Sequence, residues 1–255
     1  MELGQVKAVV TGGVSGLGFA VAKHLVAHGA KVALFDVNDD KGAAAVAELG
    51  DAARYYRTDV TSEDGVATNL DAARTALGGL NAVINCAGIL GAGRVLGKDG
   101  AMPLKTFTNT LMANLVGSFN VAKQAAALMQ HNEPGADGER GVIVSTASIA
   151  AFEGQIGQAA YSASKGGVVG MTLPMAREFA RIGVRVMTVA PGVFHTPMVD
   201  GMPEAVYQSL CAQVPYPSRL GAPEEFATTV AFILQNRYMN GSVVRVDGAI
   251  RLQPK

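Results

Sequence analysis

The chain has 255 residues, 49% of them hydrophobic, which is enough for one large α/β domain or two small ones. Its 21 basic and 21 acidic side chains balance, so the charge gives no indication of a nucleic-acid surface or an anionic membrane. Two cysteines without clustered histidines argue against a disulfide framework and leave a metal ion no ligand set, and no apolar run reaches the roughly 18 residues that span a bilayer.

Short apolar runs alternate with helical patterns along the whole chain. Strands are predicted at residues 6–10, 31–35, 53–57, 82–85, 141–145, 185–190 and 242–246. Helices are predicted at residues 18–28, 62–77, 108–130 and 161–181. Near-continuous apolar strands separated by helices are typical of a parallel sheet that is buried on both faces. We therefore predict an α/β fold over residues 1–255: a single-domain, Rossmann-type, doubly wound parallel sheet with helices on both faces.

Two irregular stretches follow predicted strands, at residues 89–106 and 194–220. The first carries Gly and Lys in place of clear periodicity, and the second is rich in Pro, Met and aromatic residues. Loops that follow the strands of a doubly wound sheet form its ligand crevice, so both stretches are predicted to line a pocket. The apolar residues of the second stretch form either an adaptable wall or ordinary amphipathic core: Phe194, Met198, Met202, Val206, Tyr207 and Leu210.

A glycine-rich turn joins the first predicted strand to the first predicted helix. Gly12, Gly16 and Gly18 let the backbone approach a ligand closely, and Ser15 and Leu17 lie between them. The helix N-terminus adds N–H groups and a favourable dipole, so the turn is suited to a dinucleotide pyrophosphate. The alternative is an ordinary glycine-rich turn between a strand and a helix.

Acidic residues follow the second and third predicted strands. Asp36 lies where a carboxylate accepts hydrogen bonds from the adenosine ribose and repels a 2′-phosphate, which predicts NAD rather than NADP. Its alternative role is that of a turn former at the strand end. Asp59 and Val60 are predicted to contact adenine, although Asp59 is equally suited to capping the next helix.

Tyr161 and Lys165 lie four residues apart on a predicted helix and therefore share one face. A phenol beside an ammonium ionises more easily than a free phenol, whose pKa is about 10. Such a pair can accept a proton from an alcohol, so together with the glycine turn it suggests hydride transfer. Taken alone, the two residues could also be a packing tyrosine and a solvated lysine.

These motifs and several further segments resemble the short-chain dehydrogenase/reductase family along essentially the whole chain. The matching residues, in chain order, are Thr11, Gly12, Gly16, Leu17, Gly18, Asp59, Val60, Asn85, Ala87, Gly88, Asn114, Ser148, Tyr161, Lys165, Pro191 and Gly192. One departure is Cys86, where most of the family has a second asparagine, and we expect it to change packing rather than chemistry.

The resemblance implies a role for each matching residue. Tyr161 is the general acid/base, Lys165 lowers its pKa and holds the nicotinamide ribose, and Ser148 orients the substrate oxygen. Asn114 holds a water that leads protons away from Lys165, or else only supports a helix bend. The remaining assignments concern the cofactor: Asn85, Ala87 and Gly88 support its adenosine side, and Pro191, Gly192, Val193 and Thr196 frame the nicotinamide amide.

A closer resemblance is to the type-2 3-hydroxyacyl-CoA dehydrogenases, also called type-10 17β-hydroxysteroid dehydrogenases. It rests on residues 132–134, 150–161, 170–174 and 213–221, and on an insertion after the fourth strand that residues 89–106 could match. It implies NAD-dependent oxidation of a 3-hydroxyacyl-CoA by a homotetramer. Gln155 and Gln158 are then predicted to contact the thioester, unless they are ordinary loop residues.

Two alternatives to the acyl-CoA substrate stay open at this point. One keeps the chemistry and takes a steroid or another small secondary alcohol. The other is a dinucleotide-binding scaffold with little turnover, which the presence of Ser148, Tyr161 and Lys165 opposes. With no targeting segment visible, we expect a cytoplasmic protein that binds neither nucleic acid nor membrane.

Overall fold

The computed structural model describes residues 1–98, 100–196 and 204–254, except that only the backbone of Val206 is described. The strands are β1 Lys7–Thr11, β2 Lys31–Asp36, β3 Ala53–Arg57, β4 Ala82–Asn85, β5 Leu96–Gly97, β6 Gly100–Ala101, β7 Gly141–Thr146, β8 Val184–Pro191 and β9 Val243–Val246. Seven of them form one parallel sheet in the order β3-β2-β1-β4-β7-β8-β9, and β5 pairs with β6 in a small antiparallel hairpin. The predicted doubly wound sheet is confirmed.

Helices cover both faces of the sheet. They are α1 Gly16–Ala27, α2 Asp39–Leu49, α3 Glu63–Leu77, α4 Leu104–Leu111, α5 Gly117–Met129, α6 Ala150–Glu153, α7 Ala159–Phe179, α8 Glu204–Ala212 and α9 Pro223–Gln235. The helix predicted at 108–130 is wrong in detail, because it begins at Leu104 and a π-helical turn, Met112–Val116, separates α4 from α5. Within the described ranges, no helix has both the length and the apolarity needed to cross a membrane.

The core consists of two apolar layers, one on each side of the sheet. In β1, Ala8 and Val10 belong to the layer that contains Leu25 of α1, and Val9 belongs to the layer that contains Leu70 of α3. Successive side chains of a strand point to opposite faces, so a strand that is covered on both sides must be apolar throughout. This requirement explains the continuous hydrophobic runs of the sequence.

The sheet reverses its winding direction at β1. This strand pairs with β2 on one side and with β4 on the other, and Thr11 lies opposite both Phe35 and Asn85. In an open α/β sheet the crevice beyond the carboxyl ends of the strands at such a reversal is the place where ligands bind. The glycine turn follows β1 at that edge.

The two irregular stretches differ in what the structure describes. Residues 89–106 contain the β5–β6 hairpin, and the backbone N–H of Gly93 donates to the carbonyl of Gly157 at 2.8 Å. The second stretch contains α8, which the sequence pattern did not predict. Met198 and Met202 of the predicted apolar wall lie outside the described residues, as does the side chain of Val206.

Candidate active site

The glycine turn has the backbone conformation that its sequence predicts. Gly12 and Gly16 have φ angles of 60° and 52°, a left-handed region that favours glycine. Helix α1 begins at Gly16 directly after Ser15, whose side chain makes no capping hydrogen bond within the described residues. The first N–H groups of α1 are therefore available to an anion, which is how a helix N-terminus binds phosphate.

Glycine is also required here by close packing. A Cβ atom built on Gly18 would lie 2.3 Å from the carbonyl oxygen of Gly12, and one built on Gly12 would lie 2.9 Å from the backbone nitrogen of Ala87. Both neighbours are backbone atoms and have little room to move. The turn, the start of α1 and the segment after β4 thus form one compact cradle, and it fits a dinucleotide pyrophosphate.

We expect Gly18→Ala to weaken NADH binding by at least tenfold and to lower the melting temperature, because the added methyl group forces α1 away from Gly12. Fluorescence titration with NADH and thermal melting measure the two effects. Gly170→Ala is the matched control: Gly170 lies inside α7 with nothing within 4 Å of its built Cβ, so alanine there should be neutral or stabilise by up to about 1 kcal/mol. Equal behaviour of the two variants would contradict the cradle.

The segment after β4 is organised by hydroxyl groups that the sequence analysis missed. The Oγ1 of Thr11 accepts hydrogen bonds from the backbone N–H groups of Cys86 and Ala87, each at 3.1 Å. Asn85 is 2% exposed and its Nδ2 donates to the Ser145 hydroxyl and to the Ser118 carbonyl. Asn85 therefore supports the crevice from inside the protein, and its Oδ1 has no partner among the described residues.

Gly88 closely approaches two of the predicted catalytic residues, and its predicted support of the adenosine side stays a prediction. A Cβ built on it would lie 2.9 Å from Oδ1 of Asn114 and 3.6 Å from Nζ of Lys165. Any larger residue at this position would press on both side chains. The close approach is a tertiary contact, so the sequence offered no signal for it.

Asp36 ends β2 and Asp59 follows β3, and both side chains accept local hydrogen bonds. Asp36 Oδ1 accepts from the N–H groups of Val37 and Asn38, at 2.8 and 3.2 Å, so the residue forms a turn at the predicted cofactor position. Asp59 Oδ1 accepts from Thr61, whereas α3 is capped by Ser62. The alternative role of Asp59 as the helix cap is therefore wrong.

Val60 has a packing role in the described structure. It is buried, and a Cβ built on Gly117 of α5 would lie 2.5 Å from its Cγ2. Its carbonyl accepts a hydrogen bond from Asn120 at 3.0 Å. The adenine contact predicted for Asp59 and Val60 stays a prediction.

Ser148, Tyr161 and Lys165 are brought together beyond the carboxyl end of β7. Ser148 follows that strand, and α7 carries the other two residues in its first turns. Ser148 and Lys165 are 8% and 5% exposed, and the Ser148 hydroxyl lies close enough to the phenol of Tyr161 to lower its pKa. The cluster is therefore shielded from bulk water, where a proton transfer is most easily controlled.

Neighbouring hydroxyls are already committed elsewhere, which distinguishes Ser148 from them. Ser145 accepts a hydrogen bond from Asn85, and the Thr146 hydroxyl contacts the sulfur of Cys86 at 3.3 Å. Ser148 Oγ accepts from the N–H of Ala150 at 3.1 Å and remains beside Tyr161. Of these three hydroxyls, the phenol thus meets the one that the family resemblance indicated.

The ionisation of Tyr161 is controlled first by burial. Burial raises the pKa of its phenol above the ordinary value of 10.0, and the hydrogen bond from Ser148 opposes this shift. Burial also lowers the pKa of Lys165 to about 8. The lysine Nζ lies 5.8 Å from the centre of the Tyr161 ring and donates to the carbonyl of Thr146 at 2.7 Å. Without the cofactor, burial therefore outweighs any lowering of the phenol pKa by the lysine, and the role predicted for Lys165 stays a prediction.

Asn114 lies in the π-helical turn and is fully buried. Its Oδ1 accepts from the N–H of Ile89 at 2.7 Å, and its Nδ2 donates to the Ile89 carbonyl and to Ser164 Oγ, both at 2.9 Å. The side chain thereby joins the start of residues 89–106 to the catalytic helix. Both predicted roles fit this position, and the bound water stays a prediction.

The segment after β8 forms the other wall of the crevice. Pro191 accepts a hydrogen bond from the N–H of Ile149, Gly192 donates to Val246, and Val193 accepts from Gly221. These contacts tie the segment to Ile149, to β9 and to Gly221. Thr196 reaches the glycine turn, since its Cβ lies 3.8 Å from a Cβ built on Gly16. The residues predicted to frame the nicotinamide therefore lie between the catalytic cluster and the glycine turn.

Gln155 and Gln158 are engaged within their own loop. Gln158 Oε1 accepts from the N–H of Gln155 at 2.9 Å, and Gln155 Nε2 donates to the carbonyl of Gln253 at 3.0 Å. To contact a substrate as predicted, the two side chains would have to give up these hydrogen bonds and form new ones with the substrate. The loop also borders an open cleft of about 560 Å³, lined by Arg94, Val95, Leu96, Gly154, Gln155, Ile156, Gly157, Ala159 and Ser162.

Comparison with known proteins agrees with this geometry. The family model described as short chain dehydrogenase matches residues 6–206. The chain is 51% identical to human (Homo sapiens) 3-hydroxyacyl-CoA dehydrogenase type-2 over 97% of its length and 95% of that protein. The protein of the same name from Drosophila melanogaster is 49% identical over 97% and 98%. The crystal structure of 3-hydroxyacyl-CoA dehydrogenase type-2 from Mycobacterium avium superposes with a TM-score of 0.94 at 44% identity, covering 97% and 96% of the two chains.

Proposed function

Because the chain belongs to the short-chain dehydrogenase/reductase family, we propose that it interconverts a 3-hydroxyacyl-CoA and the 3-oxoacyl-CoA with NAD. Membership makes it an oxidoreductase that acts on a small molecule with a nicotinamide dinucleotide. The observation that carries the proposal is the buried contact of Ser148 with Tyr161 next to Lys165, on the same crevice as the glycine turn.

The cradle of Gly12, Gly16 and Gly18 would hold the pyrophosphate of the cofactor, whose nicotinamide supplies the hydride acceptor. Ser148 donates a hydrogen bond to the substrate oxygen and orients it towards Tyr161. The Tyr161 phenolate oxygen takes the alcohol proton during oxidation, and the resulting phenol returns it during reduction. The ammonium of Lys165 stabilises the phenolate, and the positive charge of oxidised nicotinamide adds to this effect.

The choice of NAD is supported by the end of β2. The Asp36 carboxylate is held there by two backbone N–H groups. A carboxylate at this position repels a phosphate on the adenosine ribose and leaves an acceptor for its hydroxyl groups.

The acyl-CoA substrate is supported by the names of the relatives and by the open cleft. Residues 94–96 of the inserted stretch form one side of this cleft, and the segment before the catalytic helix forms the other. A cleft of about 560 Å³ that opens to solvent can accept a long thioester whose far end stays outside.

Oxidation of NADH at 340 nm with acetoacetyl-CoA tests the proposed function. We expect fast turnover of the thioester with NADH, and much slower turnover with NADPH or with plain ketones and ketosteroids. Turnover of plain ketones alone would retain the catalytic residues and reject the acyl-CoA. NADH binding without turnover of any substrate would favour a scaffold.

We also propose that the protein is a cytoplasmic homotetramer. Exposed apolar side chains at Met112, Val116 and Phe119 lie on one face of the π turn and α5, which supports association. Cys86 and Cys211 are free thiols, in keeping with a reducing compartment. Light scattering after gel filtration should give about 105 kDa, four times the 26.2 kDa of one chain.

A further inference from the structure

We propose that Asp39 is a second determinant of cofactor choice, because it holds the guanidinium of Arg57 in a contact that denies it to a 2′-phosphate. The inference rests on the proposed use of NAD. It adds two residues to Asp36: Arg57, which ends strand β3, and Asp39, which begins helix α2.

Arg57 lies beside the predicted ribose site. It is the register partner of Asp36 in the pairing of β2 with β3. Its Nη1 donates to the carbonyl of Val37 and to Oδ2 of Asp39, both at 2.7 Å. The guanidinium is therefore bonded to the residue that follows Asp36, at the edge where an adenosine ribose would lie.

Asp39 is itself held in place. It is the first residue of α2, where a carboxylate is favoured by the helix dipole. The Tyr55 hydroxyl lies 2.9 Å from Asp39 Oδ1 and 3.1 Å from the Asp36 carbonyl oxygen, so its one hydrogen is shared between these two acceptors. Tyr55 also packs beneath α2, since a Cβ built on Gly42 would lie 2.6 Å from its ring. One oxygen of Asp39 is thus fixed by the tyrosine while the other binds the arginine.

A guanidinium binds phosphate well, and an arginine near the ribose is the usual means of accepting NADP. The glycine turn at residues 12–18 contains no arginine or lysine. Arg57 is a basic residue at this edge, and its contact with Asp39 offsets its charge. The side chains are 64% and 59% exposed, so solvent screens their attraction, and the Val37 carbonyl helps to hold the guanidinium. Once Asp39 is neutral, the guanidinium can turn.

The test measures kcat/KM with NADH and NADPH for Asp39→Asn, and the NADPH dissociation constant by fluorescence titration. Removing one negative charge and releasing one positive charge should raise the NADPH-to-NADH ratio by about tenfold over the wild type. NADPH affinity should rise in parallel and fall again with added salt, as expected for a phosphate contact.

Asp40→Asn is the matched control, because Asp40 is exposed in the same first turn of α2. This substitution removes the same charge but leaves the bond between Arg57 and Asp39 intact. It should change the ratio by less than about twofold. In Asp39→Asn combined with Arg57→Gln, the gain should disappear. An equal gain in Asp40→Asn, or a gain that persists without Arg57, would overturn the inference.

These outcomes are separable from the proposed cofactor. A wild-type preference for NADPH would refute the use of NAD and the inference that rests on it. A wild-type preference for NADH with an unchanged ratio in Asp39→Asn would leave Asp36 as the determinant and reject Asp39.

Discussion

Replacing Tyr161 with phenylalanine should lower kcat by about 10²- to 10⁴-fold while NADH still binds. Phenylalanine keeps the ring beside Lys165 and removes only the hydroxyl that contacts Ser148. The substrate alcohol then loses the group that takes its proton. Steady-state rates with acetoacetyl-CoA and an NADH titration on the same protein separate the loss of chemistry from a loss of cofactor binding.

Tyr238→Phe provides the matched control, since Tyr238 is 100% exposed and loses the same atom far from the crevice. Its activity should equal that of the wild type. If Tyr161→Phe retained more than about a tenth of the wild-type kcat, the proton would have to pass through another group, and the assignment of Tyr161 would be wrong.

The fold could be predicted because its signals are local. Val9 and Val10 face opposite layers of the core, so burial on both sides makes each strand apolar throughout. The π turn at Met112–Val116 could not be predicted from the same pattern. It surrounds Asn114, which bonds to Ile89 and Ser164, and those residues are 25 and 50 positions away in sequence.

The candidate site divides in the same way. Gly12 and Gly16 are required by their own φ angles, so the sequence reveals them directly. The place of Gly88 beside Asn114 and Lys165 depends on three separate segments, and only the structure shows it. Gln155 was predicted to contact substrate, but its amide donates to a carbonyl 98 positions away in sequence, and the sequence pattern does not reveal such a contact.

Ionisation follows from burial, which the sequence does not measure. The pair Tyr161 and Lys165 suggested mutual stabilisation of phenolate and ammonium. Both groups are instead dominated by desolvation, which raises the phenol pKa and lowers the lysine pKa. The protein alone thus favours the neutral phenol, and ionisation during oxidation requires further positive charge, which oxidised nicotinamide carries.

The buried ammonium of Lys165 should therefore lower the free energy of unfolding. Lys165→Met, which removes the charge, should raise it. The pKa of the lysine is about 8 in the folded protein and 10.5 as its reference value. Below pH 8 both states carry the proton, and burial of the charge destabilises the fold. Between these two values only the unfolded chain keeps the proton, so the free energy of unfolding rises with pH through that window.

At pH 7 we expect Lys165→Met to unfold with a free energy on the order of 1–3 kcal/mol above that of the wild type, while kcat falls by at least about 10²-fold. The range is less than the full pKa shift implies, because methionine leaves the Thr146 carbonyl without the hydrogen bond from Nζ. Denaturant unfolding at pH 7 and at pH 9.5 should show the stability difference shrinking as the wild-type lysine becomes neutral.

Lys31→Met, which removes an exposed lysine, should show no such convergence. A less stable Lys165→Met protein at pH 7 would mean that the bond to Thr146 outweighs the burial of the charge, so that Lys165 is retained for stability as well as for catalysis.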